Sequence, residues 1–176
     1  MKFVPAGLPG AFRVELERVT DDRGFFARTW CAHDAEAHGL NPVVAQCNVS
    51  YTRRRGTIRG MHFQRAPRAE AKLVRCTRGT IADVILDLRP ASPTYKRWQR
   101  FELSDNDRIA LYIPEGLAHG FQALTDDAEV LYQMSEFYSP EHAAGVRWND
   151  PAFGISWPLP DPILSPKDAA YPDFAG

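Results

Sequence analysis

Four side chains in the middle of the chain have the types that proton-transfer or metal chemistry needs: His62, Lys72, His119 and Tyr132. His62 lies in RGMHFQ (59–64), between a methionine and a phenylalanine, where a histidine can be a packed core residue, a metal ligand or a base. On an extended 58–64 segment, Ile58, Gly60, His62 and Gln64 share one face and Arg59, Met61 and Phe63 the other. Gly60 then leaves space beside the imidazole. Lys72 shares its face with Val74 and Cys76, so its ammonium points the way core residues point. It either snorkels from a strand end or lines a pocket as an electrostatic group. Tyr132 shares a face with Val130 and Met134. It is either packing or, facing a pocket that holds a histidine and a lysine, a usable proton donor.

The elements that must position these side chains read mainly as strands. FRVELERV (12–19), KLVRC (72–76), IADVILDLR (81–89), RWQRFEL (97–103), RIALYIP (108–114) and EVLYQMSEFY (129–138) are short, mostly alternating runs separated by turn signals such as TRGT, SDND and PEGLAHG. In 81–89, Ala82, Val84, Leu86 and Leu88 fall on one face, with Asp83 and Asp87 on the other. This spacing predicts an all-β sandwich or barrel. CAHDAEAHG (31–39) is the one good helix, with Gly39 as its stop, and SPEH (139–142) and SPKD (165–168) each offer a single capped turn. The recurrent prolines from Asp150 onward predict an ordered tail wrapping the surface.

With 176 residues, 44% hydrophobic and 24% charged, the chain reads as a single domain spanning 1–176. A formal net charge of −1 gives no global field for nucleic acid, and TRRRG (52–56) is a local basic run. No stretch approaches a membrane span, and MKFVPAGLPGAF lacks the unbroken apolar run of a signal peptide. Cys31, Cys47 and Cys76 are odd in number and widely spaced, which argues against disulfides and zinc knuckles. The expected compartment is the cytoplasm.

IPEGLAHGF (113–121) carries His119 through a Pro-x-Gly-x-x-His turn that resembles the second motif of the cupin superfamily, a double-stranded jelly roll. Metal-binding cupins add His-x-His and a glutamate; here HFQ places Gln64 at the second histidine, leaving a poor site for zinc or iron.

The resemblance extends further. DDRGFF (21–26), QCNVS (46–50), RGMHFQ (59–64), KLVRCTRGTIADVILDLRPASPTY (72–95), LSDND (103–107), IPEGLAHGFQAL (113–124), EVLYQ (129–133), GVRWNDPAFGISWP (145–158) and LSPKD (164–168) occur in the order found in the dTDP-4-dehydrorhamnose 3,5-epimerases, a metal-free family of the cupin superfamily. The resemblance implies an all-β, cupin-type double-stranded β-helix (jelly roll) with a few short helices. It implies epimerisation of a nucleotide-linked 4-keto-6-deoxy sugar, a dTDP-sugar, with no metal or other cofactor. By resemblance His62 is the base, Asp168 its dyad partner, Tyr132 the proton donor from the other side, and Lys72 the cation near the ketone oxygen. Arg23, Gln46, Asn48, Arg59, His119 and Lys167 match substrate contacts, and the stretch holding Arg23 reaches into the neighbouring subunit's site, implying a homodimer.

Two positions depart from the family pattern. Arg28 stands where a glutamate follows RGFF, and Ala143 stands where one follows SPEH. Both are substrate-contact positions by resemblance, so the identity of the sugar and the carbons inverted stay open. The alternatives are inversion of a single carbon, a ketoisomerase outcome, and a non-catalytic sugar-nucleotide binder.

Overall fold

The computed structural model describes residues 1–175. Two antiparallel sheets face one another. The six-stranded sheet has the order β1 (Lys2–Pro5), β2 (Phe12–Glu15), β10 (Ala110–Ile113), β7 (Lys72–Arg78), β12 (Ala128–Met134) and β5 (Gln46–Thr52). The five-stranded sheet has the order β13 (Ala143–Gly145), β6 (Ile58–Gln64), β11 (Leu117–Ala123), β8 (Thr80–Asp87) and β9 (Trp98–Ser104). A separate hairpin, β3 (Val19–Asp21) with β4 (Gly24–Phe26), pairs with neither sheet. The helices are α1 (Ala32–Ala37) and α2 (Pro166–Ala169). The chain is thus the jelly roll that the alternating runs and the Pro-x-Gly-x-x-His turn predict. No helix among the described residues is long and apolar enough to cross a membrane.

The inner faces of the two sheets make one core. Val74, Cys76, Leu111, Ile113 and Val130 meet Ile81, Ile85, Leu117 and Phe121 across it. Burial of these side chains contributes about 1.5–3 kcal/mol each for the larger aliphatics. The outer face of the six-stranded sheet is covered by α1, where Ala35 and Leu40 pack with Val14, Leu73 and Tyr112. The outer face of the five-stranded sheet is covered by the tail, where Phe153 and Val146 pack on Met61, Val84 and Leu86. Strand β8 is therefore enclosed on both faces, and Asp83 and Asp87 are fully buried rather than turned to solvent.

Several expected boundaries shift. FRVELERV breaks after Glu15, because β2 is held by β1 and β10 only over 12–15, and Val19 begins the detached hairpin. RIALYIP shortens to 110–113, since Arg108 has a φ of 57° and closes the preceding turn. EVLYQMSEFY ends at Met134, which pairs with the first residues of β5 and β7, Gln46 and Lys72, so no partner strand remains beyond it. SPEH forms the single turn expected, closed by the Ala143 N–H on the Ser139 carbonyl, and leads straight into β13. SPKD is α2, with the Ser165 hydroxyl accepting from the Asp168 N–H at 3.1 Å. QCNVS, unremarkable by pattern, is an edge strand.

The expected parity of 58–64 is overturned. In β6, His62 pairs with His119 and Arg59 pairs with Phe121, so Gly60 and Met61 together oppose the single residue Gly120. This is a β-bulge, and it turns Arg59 to the same inner face as His62 while Met61 goes outward to the tail. Gly60 has a φ of 146°, and a Cβ there would lie 2.5 Å from the Gly120 Cα. The missing side chain accommodates the neighbouring backbone; it does not leave a space beside the imidazole.

Candidate active site

A cavity of about 720 Å³ is walled by both sheets and closed on one side by the C-terminal tail. His62 from β6 and His119 from β11 stand on the five-stranded wall. Lys72 from β7 and Tyr132 from β12 stand on the six-stranded wall. Inward-facing alternation on two facing sheets is what brings these four together.

Asp168 arrives from α2, and its Oδ1 lies 2.7 Å from His62 Nε2. The Asp168 side chain is 5% exposed and the imidazole 39%, so the ring reaches the cavity while its partner does not. Burial acts to raise the Asp168 carboxyl, but the hydrogen bond and charge of His62, with help from Ser165 and the Gly60 N–H, hold it below the ordinary aspartate value. An ionised carboxylate only accepts hydrogen bonds, so His62 Nε2–H donates, and in the neutral imidazole the lone pair is then on Nδ1. That tautomer is a base.

Burial pushes the Tyr132 phenol up, with Arg59 acting weakly the other way, so the hydroxyl keeps its proton at neutral pH. It faces the cavity from the wall opposite His62. Lys72 does not snorkel: its side chain is 9% exposed, and Nζ forms an ion pair with Glu70 Oε1 at 3.1 Å and donates to the His62 carbonyl oxygen at 3.3 Å. His119 Nε2 lies 2.8 Å from Oδ2 of the buried Asp83, a second imidazole–carboxylate pair beside the first.

Gln46 and Asn48 line the cavity from the edge strand β5, and Lys167 lines it from α2. Arg59 joins them, its Nε–H donating to Thr52 Oγ1 at 3.0 Å and its Nη2 to the Tyr51 carbonyl at 2.9 Å. Ala143 also lines the cavity. Arg23 and Arg28 do not. Arg23 is 90% exposed at the tip of the β3–β4 hairpin, paired with Asp21, and Arg28 is an exposed residue beyond β4. Sequence reasoning missed Glu70 and the His119 partner Asp83. Glu70 could have been found as a carboxylate two residues before Lys72, on the same face of an extended chain. Among the described residues, no group of three or more His, Cys, Asp or Glu side chains is placed to hold a metal ion. Burial pushes the Cys76 thiol up to about 12, so it is packing rather than a nucleophile.

A jelly roll whose cavity sets a carboxylate-held histidine against a protonated tyrosine defines a cupin-type proton-transfer enzyme. The family model for dTDP-4-dehydrorhamnose 3,5-epimerase matches residues 5–176. The dTDP-4-dehydrorhamnose 3,5-epimerase of Methanothermobacter thermautotrophicus is 45% identical over 170 residues, covering 95% of this chain and 91% of that one. The dTDP-4-dehydrorhamnose 3-epimerase of Streptomyces niveus is 42% identical, covering 96% of this chain and 81% of that one. The crystal structure of the 3,5-epimerase of Bacillus anthracis with TDP and pyrophosphate bound superposes with a TM-score of 0.94 at 42% identity, covering 98% of this chain and 99% of that one. The chain belongs to the dTDP-4-dehydrorhamnose 3,5-epimerase family.

Proposed function

We propose that this protein converts dTDP-4-dehydro-6-deoxy-D-glucose to dTDP-4-dehydro-L-rhamnose by inverting carbons 3 and 5. The observation that carries this reading is the His62–Asp168 pair facing Tyr132 across one cavity. A proton on a carbon beside a ketone is acidic because its electron pair passes to the ketone oxygen as an enolate. His62 Nδ1 takes that proton, and the Asp168 carboxylate stabilises the imidazolium that results. The Lys72 ammonium stabilises the enolate oxygen. Tyr132 delivers a proton to the opposite face of the carbon, and inversion follows. Inversion leaves His62 protonated and Tyr132 deprotonated, and solvent water takes the proton from the one and returns a proton to the other before the second carbon reacts. These are transfers of protons and electron pairs only, so the reading requires neither metal nor redox cofactor.

The nucleotide end is assigned to Arg59, Gln46, Asn48, Lys167 and His119. Arg59 suits the diphosphate, since its planar fork pairs with phosphate oxygens. Arg23 and Arg28 belong to the same function through a second copy of the chain. Their hairpin stands clear of both sheets, with Val19 and Phe26 71% and 75% exposed, and the edge strand β5 exposes Val49 and Tyr51. This supports a homodimer in which each hairpin reaches the partner's cavity. The three free cysteines suit a reducing compartment, the cytoplasm.

A second reading inverts one carbon only. The 42% identity to a 3-epimerase and Ala143 in the cavity wall favour it. Incubation with the 4-keto-6-deoxy nucleotide sugar in deuterated water, followed by NMR, separates the two. Deuterium at both carbons is the expected result, and deuterium at one carbon selects the second reading. No exchange at either carbon would overturn both.

A further inference from the structure

Glu70 has no role in the reaction as described, yet it is built into the cavity wall. Ala71 separates it from Lys72 and turns outward into the cluster with Leu73 and Tyr112. Ala71 is clamped twice to Ser135: its N–H donates to Ser135 Oγ at 2.8 Å, and its carbonyl accepts from the Ser135 N–H at 3.0 Å. With Ala71 locked outward, Glu70 and Lys72 are both driven inward, side by side. Glu70 Oε1 lies 3.1 Å from Lys72 Nζ, and the two side chains are 3% and 9% exposed. The other carboxylate oxygen, Oε2, is buried without a hydrogen-bond partner among the described residues.

A buried ion pair of this kind is a poor stability device. Desolvation of the two charges offsets their attraction, and apolar replacements of such pairs are often neutral or stabilising. The unpartnered Oε2 adds a further cost. What the pair does achieve is geometric. It keeps the ammonium, which also touches the His62 carbonyl, at one place on the wall beside the base.

We propose that Glu70 is the positioning residue for Lys72, holding the ammonium beside His62 so that the cation is in place before the substrate proton leaves. The inference rests on the reading of Lys72 as the group that meets the enolate oxygen. A cation already in position stabilises developing charge without reorganisation at the moment of reaction. Without Glu70 the ammonium must find that position during the reaction. The loss then falls on the chemical step rather than on binding.

The test compares wild type, Glu70→Gln, Lys72→Met and the double variant, with deuterium incorporation from solvent as the rate and chemical melts as the folding control. Glu70→Gln is expected to lower kcat by about 10- to 100-fold. KM is expected to stay within about threefold. Lys72→Met is expected to lose at least as much, and the double variant to be no slower than Lys72→Met alone. Losses that multiply in the double variant would overturn the proposal, because Glu70 would then act independently of Lys72. Wild-type kcat in Glu70→Gln would overturn it equally. Glu70→Asp keeps the charge but withdraws it by one methylene, and it covers the case in which Glu70→Gln does not fold. A fall in kcat at constant KM supports the proposal there, and wild-type kcat defeats it. Absence of exchange in the wild type would instead defeat the epimerase reading itself.

Discussion

His62 is tied by one nitrogen and open by the other, and this asymmetry separates its contribution to the fold from its contribution to the chemistry. The ring is 39% exposed and fills no core site, so the stability cost of His62→Asn is confined to the lost bond to Asp168, about 1–3 kcal/mol, and the variant is expected to fold. The same variant is expected to abolish deuterium exchange at every carbon the wild type exchanges. Asp168→Asn should slow exchange by about two to four orders of magnitude, because the imidazole loses both its tautomer and its charge support. Tyr132→Phe is expected to behave differently. The base still removes the proton, so solvent deuterium enters while inversion fails, and product configuration read by NMR alongside exchange reveals the split. Wild-type exchange in a folded His62→Asn would move the base to another residue.

Among the elements, β6 and the tail matter most, and each is held by a close approach that glycine permits. The bulge at Gly60–Met61 turns Arg59 inward, and it packs Gly60 against Gly120 with no room for a side chain. Gly60→Ala sets a Cβ 2.5 Å from backbone at a φ of 146°, and a destabilisation of about 2–4 kcal/mol is expected in urea melts. The tail is seated on β13, where Gly145 pairs with His62. A Cβ at Gly145 would lie 2.3 Å from Cζ of Tyr171, three residues beyond Asp168. Gly145→Ala must push that ring away and carry Asp168 with it. The expected outcome is a fall in kcat of about tenfold or more. In a Tyr171→Ala background the same change should cost nothing further. An equal loss in both backgrounds would show that Gly145 does not act through the tyrosine.

Two buried carboxylates set the acid limit of the whole molecule. Burial works to raise Asp87, and the Arg89, Ser92 and Thr94 hydrogen bonds overcome it and hold the carboxyl well below its ordinary value of 3.8. Asp168 is shifted in the same direction. A carboxyl depressed in the folded state leaves the unfolded chain binding more protons. The stability it provides is present above pH 3.8 and is lost as pH falls below 3.8 through the native values. Unfolding free energy should therefore be insensitive to these two groups near neutrality and drop on acidification below that point. Asp87→Asn should cost about 3 kcal/mol at pH 7 and flatten the acid drop. Assembly is testable at the same scale. Sedimentation is expected to give a dimer, and full activity from a monomer would remove the role given to Arg23 and Arg28 in a partner's cavity.

Alternation along 72–76, 108–114 and 129–138 was sufficient to place Lys72 and Tyr132 on inner faces, because two-residue periodicity is a local property of an extended chain. The Pro-x-Gly-x-x-His turn marked the crossing between sheets that carries His119. The resemblance supplied the roles, and Asp168 in particular, which meets His62 across 106 positions of sequence. Other features lie outside any local pattern. The inward turn of Arg59 depends on Gly120, a residue of another strand, because a bulge is defined by what opposes it. Asp83 and Asp87 alternate like solvent-facing residues, yet β8 is covered by the other sheet on one side and by the tail on the other. Asn48 falls in a segment that becomes an edge strand only by pairing with β12. Glu70 becomes visible only when Ser135 locks Ala71 outward. Periodicity tells which side of a strand a residue takes. What lies on that side is set by partners far away in sequence, and in a two-sheet barrel those partners decide which polar residues meet the cavity.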